Sequence, residues 1–199
     1  ENLTVGHELE ESLLEYCKNN NIDTVVTYHP PPYKRIIDEN EVETYLPDPI
    51  TESFVDSSIN VISIHTAQDV CEEGNAETLA ELFGMSDVSI FANSVDNFGA
   101  GRKGTINKIS PADLKKDIEN KLNTKIIRTN EYFNEIKEIQ NIAVLPGSGT
   151  QFIDEIIDSV DVFITGDISH RYLLKADDAK LGLIQVCLLY TSPSPRDET

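Results

Sequence analysis

The sequence predicts an α/β fold on a substantially parallel or mixed sheet. Short β-branched runs, Asp23-Thr-Val-Val-Thr-Tyr28 and Asn60-Val-Ile-Ser-Ile-His65 among them, have the length and composition of buried strands. Other stretches space their apolar residues as a helix would, with acids on the opposite side. The two kinds alternate along the chain, which is how strand–helix–strand units are written.

The elements follow in order. Residues 6–19 (GHELEESLLEYCKN) align Leu9, Leu13, Tyr16 and Cys17 into an amphipathic helix, stopped by Asn19-Asn20-Asn21. The strand from Asp23 ends at His29, where Pro30, Pro31 and Pro32 forbid both helix and ladder pairing. Asp38 to Ser58 is polar, with no strong period. After the strand from Asn60, residues 66–73 read as a loop, and Asn75 caps a helix closed by Gly84. Residues 93–109, with GAGRKG, read as an exposed turn region. Ser110-Pro111-Ala112-Asp113 starts a helix to about Leu122, with a cap, a proline at the first helical position and an acid in the first turn. Strands follow near 125–128 and 140–146, then Gly147-Ser148-Gly149 and a helix over 151–158. A strand over 160–165, a helix over 169–179 and a strand over 181–186 complete the pattern. The organisation expected is a first α/β segment over 1–90, an intervening segment over 91–140 and an α/β segment over 141–186. The tail 187–199 is expected to be disordered or foreign to the natural protein, since LLYTSPSPRD resembles translated vector or adapter read-through.

Composition narrows the function classes. The chain carries 35 acidic and 16 basic residues, a formal net charge of −19, and its basic residues do not cluster, so direct binding to nucleic acid is disfavoured. Excess acid serves solubility in the plain reading and attraction for cations in the sharper one. Cys17, Cys71 and Cys187 are far apart and form neither a zinc ribbon nor a disulfide framework, so a reducing, cytoplasmic setting is expected, with the nucleus as a second location. No apolar run reaches the length of a membrane span.

Ligands in α/β folds collect at the carboxyl ends of strands. His29 and His65 both fall there, with Asp69 four residues further on. Neutral imidazole and carboxylate suit divalent Zn, Fe, Mn or Ni, although a single histidine is more often a satisfied surface or core residue. Gly147, Ser148 and Gly149, between strand and helix, could receive an anion on backbone amides. The same pattern is common in tight turns and lacks the lysine of a nucleotide-binding loop. His170 follows Gly166-Asp167 near a helix start, where the dipole favours its neutral form.

Four motifs occur in a fixed order: TYHPPPYK (27–34), ISIHTAQD with GNAETLAELFG (62–84), PGSG (146–149) and VDVFITGDISH (160–170). Together they resemble the NGG-interacting factor three-like family, also labelled GTP cyclohydrolase I type 2, over roughly residues 8–186. The resemblance implies a three-layer α/β/α fold with mixed sheets and two related halves, assembled as a homo-oligomer, a toroidal hexamer, with two divalent metals in a cleft. The family's His-His-Pro reads Tyr28-His29-Pro30 here, a variant similar to the eukaryotic branch, so His29 is carried over as a ligand and Tyr28 only as a cleft residue. The family's His-Thr-x-x-Asp matches His65 to Asp69, with Asp69 the ligand and His65 a neighbour that orients it. His170 is implied as a polar cleft contact.

The family's closing His-x-x-x-Glu has no match, because no histidine follows His170. The chain opens on Glu1 rather than Met and reads as truncated at both ends. With two ligands carried over, where a closed site needs at least three, this chain is expected to bind metal poorly by itself. The resemblance leaves two functions open. One is a metal-dependent hydrolase of a nucleotide or phosphorylated small molecule. The other is a regulatory protein that binds a transcriptional adaptor and uses its metal structurally. Both require His29 and Asp69 to share a cation.

Overall fold

The computed structural model describes residues 2–38, 41, 43–95 and 98–187. The expected tail beyond 187 lies outside them. The chain divides into two compact units, with the division between Gln68 and Asp69. Residues 69–90, expected with the first segment, therefore group with the second. The expected intervening segment contributes some of that unit's strands.

The first unit is a three-stranded parallel sheet of β1 (Leu3–Gly6), β2 (Thr24–Thr27) and β5 (Asn60–Ser63), in the order β1-β2-β5. Helix α1 (Glu11–Asn20) joins the first two strands and ends on Asn21, whose φ of 52° is the left-handed conformation that closes a helix. The predicted helix began five residues earlier, and the segment ahead of it is β1. The stretch expected to be without period folds instead as a hairpin, β3 (Tyr33–Ile37) with β4 (Glu43–Pro47), and as helix α2 (Pro49–Asp56). Asp48 caps α2 by accepting from the Ile50 amide at 3.1 Å, with Pro49 at the first turn. Caps of this kind make a two-turn helix that has too few residues to show a period.

Cross-paired residues of parallel strands share a face, so Thr4, Val25 and Val61 lie on one side of the small sheet. Val5, Val26 and Ile62 lie on the other. The first side packs Val25 with Leu9, Leu14 and Cys17 of the α1 region and with Phe54 and Ile59. The second side leaves Val5 and Ile62 about half exposed.

Helix α3 (His65–Val70) follows β5 where a loop was expected, and the division between the units falls inside it. The second unit continues with α4 (Asn75–Leu82), β6 (Ser86–Val95), β7 (Phe98–Ile109), α5 (Pro111–Lys121), β8 (Ile126–Thr129), β9 (Ile139–Ser148), β10 (Val162–Asp167), α6 (His170–Asp178) and β11 (Gly182–Val186). Its six-stranded sheet runs β6-β7-β9-β10-β11-β8. The run β9, β10, β11 is parallel; β7 is antiparallel to β6 and β9, and β8 is antiparallel to β11. Side chains alternate across β9. Ile142 and Val144 pack with Leu79, Phe83, Leu114 and Ile118 of α4 and α5. Ala143 and Leu145 pack with Phe91, Phe163, Ile168 and Ala176 on the opposite face. Helices cover both faces, as the α/β/α expectation required.

Residues 93–109, expected to be an exposed turn, are mostly β7, next to the centre of this sheet. Their glycines reflect crowding rather than turning. A Cβ at Gly101 would stand 2.3 Å from the Phe91 ring, and one at Gly104 2.6 Å from the Ser86 carbonyl. Arg102 is buried, and its Nη1 donates to the Gly99 carbonyl at 2.6 Å and the Gly101 carbonyl at 3.1 Å. The helix expected over 151–158 is a single 3-10 segment, Thr150–Glu155.

Candidate functional site

In the first unit, the carboxyl edge of the parallel sheet gathers four aromatic rings. The ladder continues past the strands: the Tyr28 amide donates to Gly6 (3.3 Å), His29 to His7 (2.9 Å) and His65 to Tyr28 (2.9 Å). Three consecutive strand ends are thereby tied level, and each delivers an imidazole. His7 stacks on Tyr28 at 5.4 Å between centroids and 16° between planes. It meets His29 edge-on at 4.5 Å. Tyr28 lies 5.2 Å from His29 and 5.1 Å from His65, and His29 lies 5.8 Å from His65. The three prolines are pinned from behind, since the Pro32 carbonyl accepts from the Asp48 amide at 3.1 Å and from Thr51 Oγ1 at 3.0 Å. Thr27 Oγ1 donates to the His29 carbonyl at 2.8 Å.

Electrostatics divide the imidazoles. Glu8 Oε2 stands 3.7 Å from His29 Nδ1, close enough to pair with it when the ring is protonated. Burial holds His7 below the usual histidine range; a charge on His29 acts in the same direction and Glu8 opposes it. His7 Nε2 is buried and has no hydrogen-bond partner. His65 Nδ1 lies 3.2 Å from Thr66 Oγ1.

Of the residues singled out from sequence, Tyr28, His29 and His65 come together, and His7, not among those residues, joins them. Its signal was present: Leu3-Thr4-Val5 is a short apolar and β-branched run ending in Gly6-His7, the same strand-end pattern as at His29. The helix predicted over 6–19 takes in Gly6 and His7 and so hides the pattern.

Asp69 lies one turn after His65 on α3. It is buried and accepts from Asn75 Nδ2 at 2.9 Å. Asn75 was expected to cap α4. Gly74 takes the cap position instead, and the Asn75 amide holds the Asp69 carboxylate. In the second unit, Gly147 takes a φ of +73°, which favours glycine. Thr165 Oγ1 donates to the Gly147 carbonyl at 2.9 Å and accepts from the Gly149 amide at 3.1 Å. The Gly149 amide is therefore committed inside the protein, and the 3-10 segment after it carries no long helix dipole. Gly147 and Ser148 remain exposed. His170 is exposed as the first residue of α6.

The match to known proteins is extensive. The model of the Duf34/NIF3 (NGG1p interacting factor 3) family matches residues 1–187. The chain belongs to this family. A GTP cyclohydrolase 1 type 2 homolog of Clostridium acetobutylicum is 28% identical over 82% of this chain, and NGG1-interacting factor 3 of Saccharomyces cerevisiae is 26% identical over 84%. The chain spans 62% of the length of each. Among solved structures, the Staphylococcus aureus hypothetical protein SA1388 superimposes with a TM-score of 0.74 at 21% identity, covering 96% of this chain and 75% of the other. A Bacillus cereus protein related to NIF3 gives 0.75 at 14%, covering 96% and 79%. These likenesses establish the family fold.

The donors fit a divalent metal in kind. Imidazole and carboxylate are the ligands such ions take, and the orphaned His7 Nε2 is a buried nitrogen that lacks any other partner. They fall short in arrangement: among the described residues, no three His, Cys, Asp or Glu side chains are set to hold one ion.

Proposed function

We propose that this chain is part of a divalent-metal-dependent hydrolase acting on a nucleotide or another phosphorylated small molecule. The observation that carries the reading is the clustering of imidazoles at the carboxyl edge of the parallel sheet, where α/β proteins hold their ligands. His29 and Asp69 would hold the metal, which supplies a Lewis acid and a water of lowered pKa. The chain's own residues do the positioning. The Asn75 amide orients the Asp69 carboxylate, Thr27 and the Pro32 anchor fix the His29 loop, and Glu8 sets a carboxylate 3.7 Å from His29 Nδ1. The exposed Gly147 and Ser148 stand ready to meet an anionic group, and His170 offers a hydrogen bond.

The test measures release of phosphate or of base-modified product from GTP, other nucleotides and p-nitrophenyl phosphate with added Zn2+ or Mn2+. Turnover lost in the His29→Ala, Asp69→Ala double variant supports the reading. Absence of metal-dependent turnover on every substrate overturns it.

A second reading, an interaction protein whose metal is structural, draws on the name of the yeast relative and on a specific surface. The β3–β4 hairpin exposes Tyr33, Ile37, Tyr45 and Leu46, a group of large apolar side chains on one ribbon. Partner capture that survives the double variant favours this reading over the hydrolase. Assembly into a homo-hexamer, with a transcriptional protein partner in the cytoplasm or nucleus, belongs to the same proposal. Among the described residues no helix is long and apolar enough to cross a membrane.

A further inference from the structure

We infer that Arg102 is the anion-gripping residue of a phosphate site in the second unit, one that takes inorganic phosphate or the phosphoryl end of a small molecule. The inference stands apart from the metal reading above, since neither His29 nor Asp69 enters it.

Three observations carry it. The first is a charge without a counter-charge. Arg102 is 5% exposed, and a guanidinium keeps its proton at any physiological pH. Buried charges are ordinarily paired with an opposite one. The chain has 35 acidic side chains, yet among the described residues none forms an ion pair with Arg102. The Gly99 and Gly101 carbonyls accept hydrogen bonds from it without cancelling its charge.

The second is which part of the guanidinium is spent. Nη1 serves both carbonyls, at 2.6 and 3.1 Å, and so fixes the plane of the group. Nε and Nη2 make no hydrogen bond among the described residues. They are not sealed in as His7 Nε2 is, so they open to solvent. Nε–H and the neighbouring Nη2–H run parallel, and together they are the edge that grips two oxygens of an oxyanion at once. That edge is oriented before any ligand arrives.

The third is place. Arg102 pairs with Val144 at the last rung of the β7–β9 ladder. Its guanidinium turns back toward Gly99, and because β7 is antiparallel to β9 that is the direction of the carboxyl end of β9. There Gly147 has a φ of +73°, Ser148 is exposed, and β10 runs parallel alongside. The carboxyl ends of parallel strands are where α/β folds take ligands. With a net charge of −19 the chain repels anions at large, so an anion held here needs a specific cation. A phosphate keeps further oxygens for donors such as the Ser148 hydroxyl once the fork is filled, whereas a carboxylate does not.

Calorimetric titration with inorganic phosphate and, separately, with a nucleoside monophosphate tests the inference on the chain as it stands, with a chelator present to keep metals out. Arg102→Lys keeps the charge without the fork. Arg102→Gln keeps a donor for the glycine carbonyls without the charge. Affinity should weaken about tenfold or more in Arg102→Lys and about thirtyfold or more in Arg102→Gln, in proteins that still melt cooperatively without phosphate. In the parent, the Arg102 Nε–H resonance should shift as phosphate is added, a readout that needs no variant and that a purely structural arginine does not give. Equal affinity for the two ligands assigns the site to free phosphate, and a monophosphate bound about tenfold tighter assigns it to a phosphorylated small molecule. If the parent binds neither ligand, if both variants bind like the parent, or if the Nε–H resonance stays still at saturation, the inference falls. Failure of the metal reading would show as absent turnover and leave these titrations unchanged.

Discussion

The two units place their apolar surface differently. In the second unit a six-stranded sheet is covered on both faces, and its core residues, among them Phe163, Ile142, Val144 and Leu183, are wholly buried. In the first, a three-stranded parallel sheet is covered on one face by the small cluster around Phe54 and Cys17, while Val5 and Ile62 stay half exposed on the other. Parallel sheets ordinarily bury both faces. The contrast teaches a division of labour: the second unit supplies the thermodynamic weight, whereas the first carries the clustered imidazoles on a lighter framework. Placing a buried, unpartnered nitrogen in the lighter unit has a stability cost that a bound ligand could repay.

The largest effects should test that division. Phe163→Ala removes a ring packed edge-on against Phe91 at 5.9 Å and should cost about 3–5 kcal/mol, read by urea denaturation. Phe54→Ala in the first unit should cost a similar amount. Hydrogen exchange should then show its loss of protection confined to residues 2–68. Loss of protection spread evenly over both units would break the comparison.

Thr165→Val should cost about 1–3 kcal/mol, because it deprives both the Gly147 carbonyl and the Gly149 amide of a buried partner. The same variant should free the Gly149 amide, so inorganic phosphate binding measured alongside would show whether that turn prefers an anion once Thr165 no longer occupies it. Ser110→Ala should cost about 1 kcal/mol, as it removes the hydroxyl that accepts from the Asp113 amide at 3.2 Å.

The smallest effect concerns pH. Burial lowers the pKa of His7 in the fold, so below about pH 6.5 the unfolded chain binds a proton that the folded chain resists. The stability that depends on neutral His7 is complete above that pH. It declines as pH falls toward the lowered folded value and then levels off. The metal-free parent should therefore lose melting temperature on acidification through this window, and His7→Phe should lose less. Equal losses in the two proteins would remove His7 from the account.

What could be read from the chain alone was whatever is local in origin. The alternation of β-branched runs with amphipathic stretches announced the α/β class, the Ser110-Pro111 start was written in its caps, and the four ordered motifs carried the family and put His29, His65 and Asp69 among the residues of interest. The first two follow from propensity, periodicity and capping, which neighbours along the chain determine, whereas the motifs worked through resemblance to a known family.

Tertiary structure decided the rest, because it depends on which segments lie beside one another. The glycines of 98–104 look like a turn until β6 and β9 flank them, when the close approach of Phe91 explains why nothing larger fits. Asn75 looks like a helix cap until Asp69 takes its amide. The Gly149 amide looks available until Thr165, sixteen residues away, claims it. His7 reads as one more polar residue of a helix until β1 pairs with β2 and sets its ring against Tyr28 and His29. A parallel ladder joins residues far apart in sequence, and only that pairing brings three separate imidazoles to one edge.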